Sequence, residues 1–118
     1  MKIIISEAEA LHIKAICDIQ VESFSRLYNE VPVRNHGKLH PSGPQFNERS
    51  REINKFMADE YVKVRQNPDY LFSANPALIA NFRSILDIFA DEAEFDTEVV
   101  TSIMLKIDLV LFVSEHIN

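Results

Sequence analysis

Glycine is nearly absent from this chain: Gly37 and Gly43 are the only two in 118 residues, against the roughly 7% usual in soluble domains. Tight hairpin turns draw on glycine and on Asn-Gly or Asp-Gly pairs, and neither pair occurs. The deficit argues against a sheet protein and for helices. A lone cysteine, Cys17, excludes an internal disulfide and fits a reducing compartment. It lies in an apolar stretch, where it reads as a small buried hydrophobe rather than a nucleophile. No apolar run approaches the roughly 18 residues that a membrane span needs. The opening MKIIISEAEA turns acidic too early for a secretory signal. These absences lead us to expect a cytoplasmic protein with no membrane segment.

Basic residues are scarce in the second half. Residues 1–69 carry ten Lys/Arg and ten Asp/Glu, whereas residues 70–118 carry only Arg83 and Lys106 against eight carboxylates. The whole net charge of −6 therefore lies in the last 49 residues. With 47% hydrophobic and 25% charged residues, the chain has the profile of one ordinary globular domain spanning residues 1–118.

What is present points to an all-α bundle of four main helices, one extra helical turn, and an N-terminal apolar arm or short strand at Ile3–Ile5. Ser6 and Glu9 have the spacing of a capping box. After them Ile13, Ile16, Cys17, Phe24, Leu27 and Tyr28 recur at helical spacing, which predicts a helix over 7–29. A joint over 30–44 follows. Ser42 and Gln45 repeat the box spacing, with Pro44 in the first turn, and open a helix to about Gln66. Its expected apolar stripe is Phe46, Ile53, Phe56, Met57, Tyr61 and Val64.

Asn-Pro occurs at 67–68 and 75–76, and both asparagines read as helix caps because proline pushes the preceding residue out of the α conformation. The first would start a short turn, the second a third long helix. That helix is lined by Leu78, Phe82, Ile85 and Phe89, with Asn81, Ser84 and Asp91 opposite. From Thr97 to His116, Leu105, Ile107, Leu109, Leu111 and Val113 alternate as in a strand. The stripe Glu98, Thr101, Asp108 and Glu115 favours a helix instead, apolar over most of its circumference. Such a helix is either central to the bundle or covered by another chain, and with Ile3–Ile5 it leads us to expect a homodimer.

KIIISEAEALHIKAICDIQVESF is similar to the first strand and helix of the acetyl-CoA-dependent acetyltransferases. That family also needs a glycine-containing loop whose amides bind the pyrophosphate, and Gly37 and Gly43 form no such motif, so the resemblance is set aside. No glycine-rich phosphate loop, nucleophile elbow or His-Glu-x-x-His is present either.

Two segments remain. The joint RNHGKLHPSGP holds Arg34, His36, Lys38 and His40. Gly37 and Pro41 argue against a helix that would align the two imidazoles, and zinc wants at least three protein ligands. No metal or cofactor is expected. The loop reads as a joint with a contact role. With Arg49 and Arg51 it makes only a modest basic region, so a nucleic-acid partner is not expected. The stronger signal is DIFADEAEFDTE, with Asp87, Asp91, Glu92, Glu94, Asp96 and Glu98 and no basic residue. Asp96 or Thr97 can cap the last helix and Glu98 suits its first turn. Asp91, Glu92 and Glu94 would sit at the unfavourable C-terminal end of the third helix. The reading is a non-catalytic protein-binding module, of inhibitor, immunity-type or adaptor character, acting on a basic protein partner through residues 87–98. The alternatives are a small enzyme or metal-binding protein using the His36/His40 loop, or a nucleic-acid-binding regulator.

Overall fold

A computed structural model describes residues 3–30 and 44–117, with burial assigned over 3–29 and 48–113. The described chain is all-α. Helices α1 (Glu7–Glu30), α2 (Pro44–Gln66), α3 (Pro76–Phe89) and α4 (Thr97–Ile117) are joined in that order, with a 3-10 turn (Pro68–Ser73) between α2 and α3. Ile3–Ser6 form an irregular arm, and no strand occurs among the described residues.

The first capping box forms as the spacing implies. The Ser6 amide donates to Glu9 Oε1 at 2.7 Å, and the Glu9 amide donates to Ser6 Oγ at 3.1 Å. Ser42 of the second box lies outside the described residues. The two asparagines differ. Asn75 accepts from the Ala77 amide at 2.8 Å and caps α3. Asn67 has extended backbone but makes no side-chain cap bond. There the chain runs straight from α2 into the turn, and the Asn67 carbonyl accepts from the Tyr70 amide at 2.9 Å.

Helix α1 packs most extensively on α2. They run antiparallel, as shown by Asp18–Arg65 at 3.2 Å near one end and Arg51–Tyr28 at 2.9 Å near the other. Asp18 therefore pairs across helices. The core draws on every element: Ile13, Ile16 and Cys17, then Tyr61 and Val64, Leu71, Phe82 and Leu86, and Ile103 and Ile107 are all fully buried. The expected α2 stripe is only half inward. Met57, Tyr61 and Val64 are buried, but Ile53 and Phe56 are exposed, and the Phe46 side chain lies outside the described ones. The face of a helix that packs is set by which neighbours reach it: at this end of α2 Arg51 meets Tyr28 of α1, while Ile53 and Phe56 stay exposed among the described residues.

Residues 97–117 are helical, which settles the strand-or-helix ambiguity. Val100, Ile103 and Ile107 are buried, while Leu105 and Leu109 face outward. So α4 flanks the bundle rather than filling its centre.

Asn81 departs from expectation. It belongs to a cross-helix polar node: its Oδ1 accepts from Gln20 Nε2 of α1 at 3.0 Å and from the Tyr61 hydroxyl of α2. Tyr61 is fully buried and Gln20 nearly so, and burial pushes the Tyr61 phenol well above its ordinary pKa. Inside a helical core such groups persist when their hydrogen bonds are made.

Candidate functional site

The acidic segment divides by position. Asp87 is in α3, where Arg83 Nη1 donates to it at 2.8 Å. The same guanidinium reaches across to α4, with Nε to Asp108 Oδ1 at 2.9 Å and Nη2 to Oδ2 at 3.3 Å. These carboxylates hold the Arg83 pKa above its ordinary value, the Asp108 hydrogen bond most of all. Asp96 caps α4, its Oδ1 accepting from the Glu98 amide at 2.9 Å and the Val99 amide at 3.4 Å. Glu98 stands in the first turn of α4, where the helix dipole favours a negative charge.

Asp91, Glu92 and Glu94 are not in α3. The helix ends at Phe89, and the three carboxylates occupy the α3–α4 connection, all exposed. Two successive turns form there, the Glu92 amide bonding to the Phe89 carbonyl at 3.0 Å and the Phe95 amide to the Glu92 carbonyl at 3.1 Å. The helix stops because Phe95 is drawn back. Its ring stacks on Phe89 at 4.9 Å and meets the His12 ring edge-on at 5.8 Å, while Thr97 Oγ1 donates to the Ala90 carbonyl at 3.1 Å. None of the three carboxylates has an ion pair among the described residues.

His12 fixes this connection to α1. Its Nδ1 bonds to the Ala8 carbonyl at 2.9 Å, and its Nε2 accepts from the Asp96 amide at 3.2 Å. The two bonds select the neutral tautomer with the proton on Nδ1. Periodicity could not have revealed this role, because the partner lies 84 residues away.

If repulsion among these charges opposes folding, the triple variant Asp91→Asn, Glu92→Gln, Glu94→Gln should melt at the same temperature as wild type or a few degrees higher. Thermal unfolding followed by circular dichroism reads this directly. A clear loss would assign the three carboxylates a structural role.

Arg34, His36, Lys38 and His40 lie outside the described residues. Among the described residues no three His, Cys, Asp or Glu side chains come together as a metal-ligand set. Burial pushes the Cys17 thiol up to about 12, and a thiol that stays protonated at neutral pH is a poor nucleophile. No described helix is long and apolar enough to cross a membrane.

Two buried carboxylates escaped the sequence reading of their surroundings. Glu60 is nearly buried and takes the Tyr70 hydroxyl at 2.8 Å and Lys63 Nζ at 2.8 Å. The Lys63 bond, opposed by burial, lowers its pKa. Glu9, 4% exposed, does more than cap α1. Lys106 Nζ donates to its Oε1 at 2.6 Å and Ser102 Oγ donates to its Oε2, while the same ammonium bonds the Ile4 carbonyl at 2.8 Å. One buried carboxylate thus ties the arm, α1 and α4 together. Beside this clamp an apolar groove of about 850 Å³ opens between the arm, the 3-10 turn and the C-terminal part of α4. It is assembled from segments far apart in sequence, so no local pattern announces it. No family model, curated protein or solved structure matches the chain.

Proposed function

We propose that this protein is a non-catalytic binding module that engages a basic protein partner through the α3–α4 connection. One observation carries the reading. Within residues 87–98, Asp87, Asp96 and Glu98 have local structural roles, while Asp91, Glu92 and Glu94 project into solvent with no ion pair among the described residues. A rim of unpaired like charge steers an oppositely charged partner and raises its association rate. Inhibition, immunity to a basic effector, or adaptor function are the activities such a surface serves. The alternatives are a small enzyme or metal-binding protein using the His36/His40 loop, or a nucleic-acid-binding regulator using the basic residues of that loop with Arg49 and Arg51.

The test is affinity capture from host lysate with wild-type and triple-neutralised protein at about 0.1 M and 1 M salt, where the Debye length falls from ~10 Å to ~3 Å. The partner should be retained by wild type at low salt, released at high salt, and associate more slowly with the neutralised variant. Salt-independent capture by a stably folded variant would move recognition elsewhere.

The outward-facing Leu105 and Leu109 of α4, 65% and 47% exposed, support a second reading, a homodimer built on α4. Light scattering showing a monomer at high micromolar concentration would remove it.

A further inference from the structure

The groove beside the arm lies between the arm, the 3-10 turn and the C-terminal part of α4. Its apolar walls come from Ile3–Ile5 of the arm, Phe72 and Ala74 around the 3-10 turn, Ile79 of α3, and Val110 and Leu111 of α4. Its volume of about 850 Å³ falls in the range of roughly 300–1,000 Å³ typical of small-molecule sites, which are mostly apolar with a few placed polar groups. The polar groups here are Asp69 and Ser73. Asp69 is exposed, and among the described residues it has no ion pair and no Lys, Arg or His lines the groove. Ser73 Oγ donates its proton to the Tyr70 carbonyl at 3.3 Å, so its lone pairs are left to accept. Both polar groups therefore favour a donor, and the carboxylate favours a cation.

The arm wall is held in place. The Ile4 carbonyl is bonded to Lys106, which Glu9 holds in turn. The groove also lies away from the acidic connection, at the start of α3 and toward the end of α4, so it is separate from the protein-binding reading above.

We propose that this groove binds a small cationic amphiphile: an alkyl chain lying against Ile5, Phe72, Ile79 and Leu111, with its protonated amine at Asp69. Apolar contact supplies most of the affinity. The carboxylate supplies the choice of headgroup. Because Asp69 is exposed, that choice is modest, a preference for ammonium over a neutral hydroxyl of about three- to fivefold.

The test titrates the isotopically labelled full chain with octylammonium, octanol and octanoate, following methyl resonances by NMR. Octylammonium should shift Ile5, Ile79 and Val110 selectively and bind about three- to fivefold more tightly than octanol, with octanoate weakest. Asp69→Asn should bring octylammonium to the level of octanol, and Val110→Trp, which fills the groove, should weaken all three about tenfold or more. Asp69→Asn changes an exposed side chain and keeps the test valid should Val110→Trp fail to fold. Shifts scattered over the surface, or a headgroup order that Asp69→Asn leaves unchanged, would overturn the proposal. So would concentration-dependent broadening of the same methyls without any amphiphile, which would make a second copy of the chain the occupant.

Discussion

Replacing Lys106 by methionine should lower stability at pH 7 by about 3 kcal/mol, the low end for breaking a buried ion pair, and the melting temperature by about 10 °C. Methionine keeps the length of the side chain and removes the ammonium. Glu9 would then be a nearly buried carboxylate left with its bonds from Ser102 and Ser6, and the Ile4 carbonyl would lose its bond from Lys106. The low end applies because Lys106 itself is partly exposed, at 29% of its side chain, where water screens part of the interaction.

The pH dependence separates this account from a simple loss of packing. Burial is the largest influence on Glu9 and raises its pKa. The bonds from Lys106, Ser102 and Ser6 together outweigh it and bring the value from 4.5 to about 2. A carboxylate with a lowered folded-state pKa binds fewer protons than its unfolded counterpart between those values. Its contribution, roughly 3 kcal/mol for a shift of this size, is therefore complete above pH 4.5 and is lost as the pH falls toward 2. In Lys106→Met the effect of burial is opposed less, the folded-state pKa rises, and protonation relieves the buried charge. Denaturant melts from pH 7 to pH 3 should show the gap between wild type and variant closing as the pH falls. A gap that stays constant would mean that Lys106 acts through its methylenes alone.

Asn81→Ala should cost about 2–3 kcal/mol, because it leaves the fully buried Tyr61 hydroxyl and the Gln20 amide without their shared acceptor. The informative comparison is a double variant. Tyr61→Phe in the wild-type background breaks a good hydrogen bond, at about 1 kcal/mol. Added to Asn81→Ala, the same change removes a hydroxyl that has already lost its acceptor, and stability should be unchanged or partly restored. Additive losses in chemical denaturation would show that the three side chains do not act as one node.

These two clusters show where local sequence runs out. The helices themselves were legible because their causes are local. Ser6 and Glu9 close a capping box, proline after Asn75 sets up the cap of α3, and the absence of turn glycines leaves little besides helix. Glu9 could be read as a cap. That it is also buried under Lys106 depends on α4 arriving beside α1, across 97 residues of sequence. Asn81 sat in the sequence as one of the polar residues opposite the α3 stripe, and only the positions of Gln20 and Tyr61 turn it into the shared acceptor of a cross-helix node.

The acidic segment was legible as a cluster, because charge is written in composition. Which of its carboxylates are occupied was not. Asp87 pairs within one helix, a local matter, but the Arg83 that it meets is shared with Asp108 of α4. The end of α3 at Phe89 follows from Phe95 folding back onto Phe89 and His12, a contact with no periodic trace. The groove lay beyond reach for the same reason, since its walls come from both ends of the chain and from the turn between α2 and α3. By itself the sequence determined the helical elements, most of their caps and the sign of the charge at one end of the bundle, since propensity, capping and composition act within a few residues. Only the tertiary structure decided which polar groups are buried, which carboxylates stay unpaired and where a cavity forms, because burial and pairing depend on side chains brought together from distant parts of the chain.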